Sequence, residues 1–196
     1  MCGQYYVDDE MAMEIEGLVQ KLDHRLSIAL KSGDLHPTDT AVVLQAEKDQ
    51  ITGVDMNWGV PQFHKSGVIF NARSETVLEK KSFSDSVLHR RCLIPARGFY
   101  EWDHMKNKNT FERPDHRIML FAGIWKPYDR IKHFAILTTD ANESMKPVHD
   151  RMPLILEPEE IAQWLYEDHS IPVLLHKKPL ELSRIAGCTQ ETFDWR

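Results

Sequence analysis

Short apolar segments, each bounded by polar or turn-forming residues, recur through most of the chain. The two strongest cover residues 118–125 and 133–138, and residues 98–102 (GFYEW) have the aromatic content of a strand. Further short strands are predicted over 41–44, 54–60, 67–71, 92–95 and 152–156. These strands do not alternate regularly with helical patterns, so a doubly wound parallel fold is not expected. The sequence predicts an α+β fold with a largely antiparallel, partly closed β-sheet.

Three segments have helical character. The clearest helix is predicted over residues 11–31, where apolar residues recur at three- and four-residue spacing. A second helix is expected within 74–91, and a third from 158 to 164, with a proline at its first position. The polar segment 103–116 is expected to be a loop or a hairpin tip.

Composition and charge exclude several classes of protein. With 196 residues, 42% of them hydrophobic, the chain is expected to form one domain over 1–196 with its own core. No apolar stretch approaches the ~18 residues of a membrane span, and no signal-peptide pattern is present, so we expect a cytoplasmic protein without a membrane partner. Three widely separated cysteines fit a reducing compartment. A net charge of −6 limits any nucleic-acid binding to a local surface.

The common cofactor and metal motifs are missing from the sequence. Among ten histidines, no pair stands at H-x-x-x-H spacing on a convincing helix with a third ligand nearby. There is no Gly-rich phosphate loop and no G-x-S-x-G elbow. We therefore expect no metal, no nucleotide and no other cofactor.

Three segments place polar side chains where chemistry is possible. Glu101 alternates with Phe99, so it points either into an apolar interior, as a candidate proton donor, or into water from an edge strand. His149 follows Pro147 and Val148 at a loop-to-strand junction, where it is either a general acid or base or a structural histidine. Residues 71–75 (NARSE) either orient a ligand or cap the following helix.

The cysteine at position 2 has two interpretations. It is either an exposed thiol without function or, once Met1 is removed, a residue with a free α-amine beside its thiol. An α-amine has a pKa of about 7.7–8.0, against about 10.4 for lysine, so a useful fraction is a neutral nucleophile near pH 7. The position of Cys2 alone does not decide between the two.

Six motifs, in this order along the chain, resemble the SOS response-associated peptidase (SRAP) family. They are residues 1–3 (MCG), 58–59 (WG), 71–75 (NARSE), 91–96 (RCLIPA), 98–102 (GFYEW) and 148–153 (VHDRMP). The resemblance covers most of the chain, from residue 2 to about residue 165. It implies the α+β architecture of that family, with a curved sheet and a DNA-binding cleft, and a protein that recognises abasic sites in single-stranded DNA.

The resemblance also implies roles for individual residues. Cys2 would be the nucleophile after Met1 is removed, Asn71 would position its amine, and Glu101 and His149 would transfer protons. The amine would form a Schiff base with the ring-opened abasic sugar, and the thiol would close a thiazolidine that shields the lesion in the DNA damage response. As a thiol-dependent peptidase, the chain could release Met1 itself; a housekeeping aminopeptidase is the alternative.

Arginines are the implied phosphate ligands. Arg73 and Arg151 would hold DNA phosphates beside the reacting sugar. Together with Arg90, Arg91 and Arg97 they would form a local groove that reconciles DNA binding with the acidic net charge.

Aromatic side chains are expected to contribute base stacking. The candidates are Trp58, Phe63 and Trp102, each of which could instead belong to the core. Pro37 resembles a family position near the DNA path. Gln4 stands where family members often carry arginine, so binding here is expected to be weaker or less dependent on salt.

Two other functions fit the same residues. One is a cysteine hydrolase that uses the N-terminal nucleophile on amide bonds. The other is a non-covalent binding module for single-stranded DNA, in which Cys2 is incidental. The leading hypothesis is a monomer whose partner is single-stranded DNA containing abasic sites.

Overall fold

The computed structural model describes residues 2–16, 32–62 and 66–186, and three kinds of secondary structure occur within them. The α-helices are α1 (Met11–Glu16), α2 (Ser84–His89), α3 (Ile161–Tyr166) and α4 (Ile171–Leu175). Short 3₁₀ helices cover Ser74–Thr76, Pro158–Glu160 and Asp168–Ser170. The strands are β1 (Tyr5–Val7), β2 (Gly33–Leu35), β3 (Thr40–Glu47), β4 (Gln50–Trp58), β5 (Val60–Pro61), β6 (Val68–Ile69), β7 (Asn71–Arg73), β8 (Arg91–Ala96), β9 (Gly98–Trp102), β10 (Lys108–Glu112), β11 (Met119–Tyr128), β12 (Ile131–Asp140), β13 (Arg151–Pro153), β14 (Ile155–Leu156) and β15 (Ser183–Ala186).

Five of the strands close into a barrel. The pairing runs from β3 to β4, β12, β11 and β8, and β8 returns to β3. Every contact in this ring is antiparallel except the parallel pairing of β4 with β12. Strands β7 and β13 flank β12 at its end, on opposite edges, and β14 pairs with β11. The predicted α+β fold with a largely antiparallel, partly closed sheet is therefore confirmed.

A second, five-stranded antiparallel sheet packs against the barrel. Its order is β2, β1, β9, β10 and β15. The ring of Tyr5 lies 5.1 Å from that of Trp58 and 6.1 Å from that of Phe121, and Phe99 lies 5.9 Å from Phe121. These fully buried rings join the two sheets, so β1 and β9 are held firmly against the barrel wall.

The helices differ from the prediction in extent. Helix α1 begins at Met11 as expected, where the backbone N–H of Met11 donates to the carboxylate of Asp8 at 3.0 Å. The rest of the segment predicted over 11–31 lies outside the described residues. A helix lies within 74–91 as expected, but it covers only Ser84–His89 (α2). The 3₁₀ helix Ser74–Thr76 precedes it and is separated from it by turns.

Two further differences concern residues 103–116 and 158–164. The polar segment contains strand β10, whose alternation buries Asn109 and Phe111 and leaves its other residues half-buried. Only one of those two inward residues is apolar, so the pattern was not visible as a strand. The predicted third helix is a 3₁₀ turn followed by α3. No helix among the described residues is both long and apolar enough to cross a membrane.

Close packing of β1 on β9 requires glycine at position 98. The ring of Tyr6 lies directly over Gly98, and a Cβ added there would overlap that ring. We expect Gly98→Ala to destabilise the protein by about 1–3 kcal/mol, because Tyr6 must leave its rotamer or β1 must shift. Thermal or urea unfolding measures the loss. In a Tyr6→Ala background the same substitution should cost much less; an equal cost in both backgrounds would rule out this contact as the cause.

Candidate active site around Cys2

The pairing of β1 with β9 brings the N-terminal residues to Glu101. Tyr5 stands opposite Phe99, and the backbone N–H of Tyr100 donates to the carbonyl of Gln4 at 3.0 Å. Continued by one residue, this antiparallel register sets Gly3 level with Glu101. The Glu101 carboxylate is close enough to Cys2 to affect its ionisation. Cys2 and Glu101 therefore belong to one site.

Glu101 points inward from β9. Its side chain shares a face with Phe99, and only 4% of the residue is exposed. Asn109, opposite it on β10, is also buried and receives a hydrogen bond from Arg184 at 2.9 Å. Of the two orientations that the alternation of residues 98–102 left open, the structure shows the inward one. Its role in proton transfer stays a prediction.

Asn71 connects the barrel to the N-terminal residues. Its Nδ2 donates to the carbonyl oxygen of Cys2 at 2.8 Å. Asn71 opens β7, which runs parallel to β12 and pairs with it at Ile136. The Oδ1 atom of the same amide is buried and accepts no hydrogen bond from any described residue. A buried acceptor without a donor costs about 1–3 kcal/mol of stability. We therefore expect this oxygen to accept a hydrogen bond from a donor beside Cys2.

The thiol of Cys2 is fully buried. Burial is the main cause that raises the pKa of this thiol well above its usual value, and the negative charge of Glu101 raises it further. The thiol is therefore protonated at neutral pH. A cysteine in this state is a poor first nucleophile, in contrast to the low-pKa cysteines of thiol hydrolases.

His149 lies two residues before β13, which pairs with the edge of β12 opposite to β7. Its Nδ1 accepts the backbone N–H of Arg151 at 2.9 Å and lies 2.9 Å from a carboxylate oxygen of Asp150. Thr138 of β12 stands opposite Arg73 on one side and Pro153 on the other. The barrel therefore places the His149 segment two strands away from Asn71 and Arg73.

The guanidinium of Arg151 is used inside the protein. It donates to both carboxylate oxygens of Glu75, at 2.8 and 2.9 Å, and also to Asp140 and to the carbonyl of Thr138. Its side chain is 9% exposed. This corrects the expectation that Arg151 holds a phosphate, because its donors already go to two carboxylates and a carbonyl. Of Arg73 and Arg151, only Arg73 is exposed, so its guanidinium is the one that a phosphate can reach.

The predicted arginine groove does not form. Arg90 pairs with Asp85 and donates to the carbonyl of Trp125, and buried Arg91 pairs with Asp168. Arg91 also donates to carbonyls of residues 87, 88, 164 and 165, so it joins α2 to α3.

Arg97 is withdrawn from the surface in the same way. It is 8% exposed and pairs with both Asp8 and Glu14. The positive charges of Arg90, Arg91 and Arg97 are paired with neighbouring carboxylates, so these three arginines do not form a basic surface.

The aromatic candidates fall into three different environments. Trp58 is completely buried, stacks on Phe134 at 6.2 Å and donates its indole N–H to the carbonyl of Phe70. Stacking of a DNA base on Trp58 is therefore wrong, and the alternative of a core residue is correct. Phe63 lies outside the described residues, and Trp102 is 41% exposed.

Pro37 is half-buried in the turn between β2 and β3. The following residue, Thr38, has a φ of 86°, an uncommon conformation for a β-branched side chain. Its backbone N–H donates to the carbonyl of Trp58 at 2.7 Å, which anchors this turn to the end of β4. The turn thus presents Pro37 from a fixed position, and a DNA contact there stays a prediction.

Gln4 has a partner that the sequence did not reveal. Its Nε2 donates to Asp34 at 2.7 Å, and the hydroxyl of Tyr100 donates to the other carboxylate oxygen at 3.0 Å. Burial and this hydrogen bond raise the pKa of Tyr100 to about 12, so the hydroxyl keeps its proton at neutral pH. Asp34 thereby ties β2 to β1 and β9. Because 30 residues separate Gln4 from Asp34, no local pattern could have paired them.

Within the described residues, no group of three histidine, cysteine, aspartate or glutamate side chains is arranged to hold a metal ion. Cys92 is a free and buried cysteine, and Cys188 lies outside the described residues.

The chain belongs to the SOS response associated peptidase (SRAP) family, whose model matches residues 1–186. Similar solved structures include a protein from Bacteroides thetaiotaomicron, with a TM-score of 0.79, 22% identity and coverage of 94% of this chain and 91% of that chain. A protein from Bordetella bronchiseptica has a TM-score of 0.79 at 20% identity, over 96% of this chain and 100% of that chain. These two likenesses concern the fold alone.

Several relatives in sequence are named abasic site processing proteins. YoqW of Bacillus subtilis is 29% identical over 88% of this chain and 83% of its own length. YedK of Escherichia coli is 30% identical over 80% of this chain and 72% of its own length. YoaM of Bacillus subtilis is 33% identical over 60% of this chain, and that match spans 58% of YoaM.

The buried thiol gives a test by alkylation. At pH 8.5 we expect iodoacetamide to label Cys2 at least about tenfold more slowly in the folded chain than in urea, because each unit by which the pKa is raised lowers the thiolate population tenfold. Peptide mass spectrometry measures the labelling, with buried Cys92 as an internal reference. Glu101→Gln should speed labelling only modestly, since burial is the larger cause. Labelling of Cys2 at the rate seen in urea would contradict this geometry.

Proposed function

We propose that this protein recognises abasic sites in single-stranded DNA and links itself to them through Cys2, after Met1 is removed, as a thiazolidine. The observation that carries the proposal is the amide of Asn71. Its N–H group holds the Cys2 carbonyl at 2.8 Å, while its buried Oδ1 has no donor among the described residues. The α-amine of a mature Cys2 is a donor on the same residue, and it would supply the missing hydrogen bond.

The first step is the attack of the amine on the abasic sugar. The aldehyde form of the sugar accepts the neutral amine at C1′, and the resulting carbinolamine loses water to give a Schiff base. Asn71 would orient the amine by accepting one of its hydrogens, so that the nitrogen lone pair points at the carbon. An α-amine is the right nucleophile near pH 7 because its pKa lies far below that of lysine.

Proton transfer falls to Glu101 and His149. Opening of the sugar ring needs a proton on the ring oxygen, and loss of water from the carbinolamine needs one on the leaving hydroxyl. Glu101 is buried beside Cys2, whereas His149 precedes β13, which pairs with the edge of β12 opposite to β7. We assign the proton transfers at Cys2 to Glu101. We assign the proton transfers on the side of the sugar that faces β13 to His149.

The second step closes the ring. The Cys2 thiol gives its proton to the Glu101 carboxylate as sulfur bonds to C1′ of the protonated Schiff base. The π electrons of the C=N bond move to the nitrogen, which already carries its proton and becomes the neutral amine of the thiazolidine. Both nucleophilic atoms belong to one residue, so this closure is intramolecular. The raised pKa of the thiol favours this order, with the amine first and the thiol second.

The alternative of a cysteine hydrolase on amide bonds is not favoured. Such an enzyme needs a thiolate as its first nucleophile, and burial and Glu101 keep the Cys2 thiol protonated. The same site could still act once, on its own Met1. The names of YoqW and YedK support abasic DNA as the partner.

Crosslinking to abasic DNA tests the function. Mature wild-type protein, incubated with a single-stranded oligonucleotide containing one abasic site, should give a heat-stable band of lower mobility, and Cys2→Ser should give none, because a hydroxyl does not form the thiazolidine. Cys92→Ala is the matched control, since Cys92 is the other buried thiol of the described residues. Equal crosslinking by Cys2→Ser, or by intact DNA, would overturn the proposal.

The orienting role of Asn71 predicts a second result. Asn71→Ala should slow crosslinking roughly 10²-fold, because a misplaced amine loses the effective concentration that orientation provides. Gel quantification of single-turnover time courses gives the rate, and anisotropy with undamaged DNA gives the affinity. A fall in affinity that accounts for the whole loss would instead make Asn71 a DNA contact.

A further inference from the structure

We propose that Glu75 is a positioning residue for His149 and that it acts through Arg151. The carboxylate of Glu75 fixes the side chain of Arg151, and the backbone N–H of Arg151 fixes the imidazole ring. This inference rests on the proposed function, since it concerns how His149 is held for its part in the reaction of the sugar.

Arg151 makes contacts of two kinds, one through its side chain and one through its backbone. The two terminal nitrogens of its guanidinium donate to the two carboxylate oxygens of Glu75, at 2.8 and 2.9 Å. Its backbone N–H donates to Nδ1 of His149 at 2.9 Å. A bidentate pair of this kind fixes direction as well as distance. The backbone of Arg151 cannot shift far without breaking that pair, so the carboxylate of Glu75 also constrains the ring of His149.

Strand β13 alone gives the His149 segment little support. It has three residues, of which Arg151 stands opposite Asp140 and Pro153 stands opposite Thr138. A proline has no backbone N–H to add to the ladder. The contacts of the guanidinium, which include the carbonyl of Thr138, therefore supply much of what places the beginning of this strand.

Glu75 is itself well placed to anchor Arg151. It belongs to the 3₁₀ helix Ser74–Thr76, which follows β7 directly, and its neighbour Ser74 is 1% exposed. Strand β7 carries Asn71 and runs along the edge of β12 opposite to β13. The Glu75–Arg151 pair thus crosses the end of β12 and ties the strand of Asn71 to the segment of His149.

The Glu75–Arg151 pair is ionised at neutral pH. Burial alone would raise the pKa of Glu75, but the hydrogen bonds and the charge of Arg151 outweigh it and lower this pKa below its ordinary value. Asp140 also binds the guanidinium, but its side chain is 87% exposed, against 32% for that of Glu75. Water and salt weaken an exposed pair, so Glu75 is the stronger carboxylate partner of Arg151.

The hydrogen bond from Arg151 determines which ring nitrogen of His149 is a donor. Because Nδ1 accepts that bond, the neutral ring carries its hydrogen on Nε2. The carboxylate of Asp150 also lies 2.9 Å from Nδ1, and it accepts from this nitrogen when the ring is protonated. Nε2 therefore carries a hydrogen in both charge states, and it is the nitrogen from which His149 donates to a sugar oxygen.

Nitrogen-15 NMR of the free protein tests the Glu75–Arg151 pair without DNA. At pH 9, above the usual titration range of histidine, the wild-type ring of His149 should show an unprotonated Nδ1 and a protonated Nε2. Glu75→Gln, which keeps the shape of the side chain and removes its charge, should move the two shifts toward each other as the second tautomer becomes populated. An unchanged tautomer would overturn the proposal.

Glu157→Gln is the matched control for this experiment. It removes a comparably buried carboxylate from an arginine elsewhere in the protein, since Glu157 binds Arg113 at 2.8 Å with side-chain exposures of 18% and 15%. It should leave the His149 tautomer as in wild type, and a change as large as that of Glu75→Gln would contradict the proposal. Glu75→Asp, which is one methylene shorter, takes the place of Glu75→Gln if that variant does not fold.

Crosslinking rates distinguish positioning from a general loss of structure. At saturating abasic DNA we expect His149→Ala to slow the reaction roughly 10²-fold, and Glu75→Gln to slow it about tenfold because the ring is misplaced. Since Glu75 acts through His149, the double variant should be no slower than His149→Ala alone, and multiplied losses would refute the proposal. If wild type does not crosslink, the proposed function fails, whereas the NMR result still decides the role of Glu75.

Discussion

The packing of Tyr5 against the barrel is the interaction on which the site depends. Tyr5 is buried between Trp58 and Phe121, and it fixes β1 only three residues after Cys2. N-terminal residues are usually poorly ordered unless something ties them down. Here the ring of Tyr5, the pairing with β9 and the hydrogen bond from Asn71 act together, so that a terminal residue has the precision of a core residue.

Electrostatics in this protein are mainly internal. Arg91, Arg97 and Arg151 each bind carboxylates or carbonyls that come from distant parts of the chain, and each is nearly buried. Removing one partner from such a pair would leave an uncompensated charge, so these contacts specify the arrangement of strands more than they offer charge to a ligand. An acidic chain whose arginines are paired internally in this way offers few exposed cations to a phosphate backbone.

The sequence predicted the fold class because alternation along a strand is a local property that one segment carries by itself. The same alternation put Glu101 on the face of Phe99 but left open whether that face is buried or exposed. Prediction from the sequence failed where pairing over long distances decides the outcome: Arg151 was expected at a phosphate, but Glu75 lies 76 positions earlier in the chain and takes its guanidinium. The role of Trp58 was ambiguous for the same reason. Only the packing of Tyr5 and Phe134 shows that neither face of its indole is accessible to a DNA base. No pattern in the sequence indicated that Asp34 is the hydrogen-bond partner of Gln4.

The burial of Cys2 has a consequence for the order of events in biosynthesis. An aminopeptidase that removes a leading methionine must draw the first two residues into its own cleft in an extended form. Once β1 has paired with β9 and Asn71 holds the Cys2 carbonyl, Cys2 is buried and cannot enter the cleft of another enzyme. Removal of Met1, as proposed above, would thus be coupled to folding: it would take place on the nascent chain, or the folded protein would carry it out on itself.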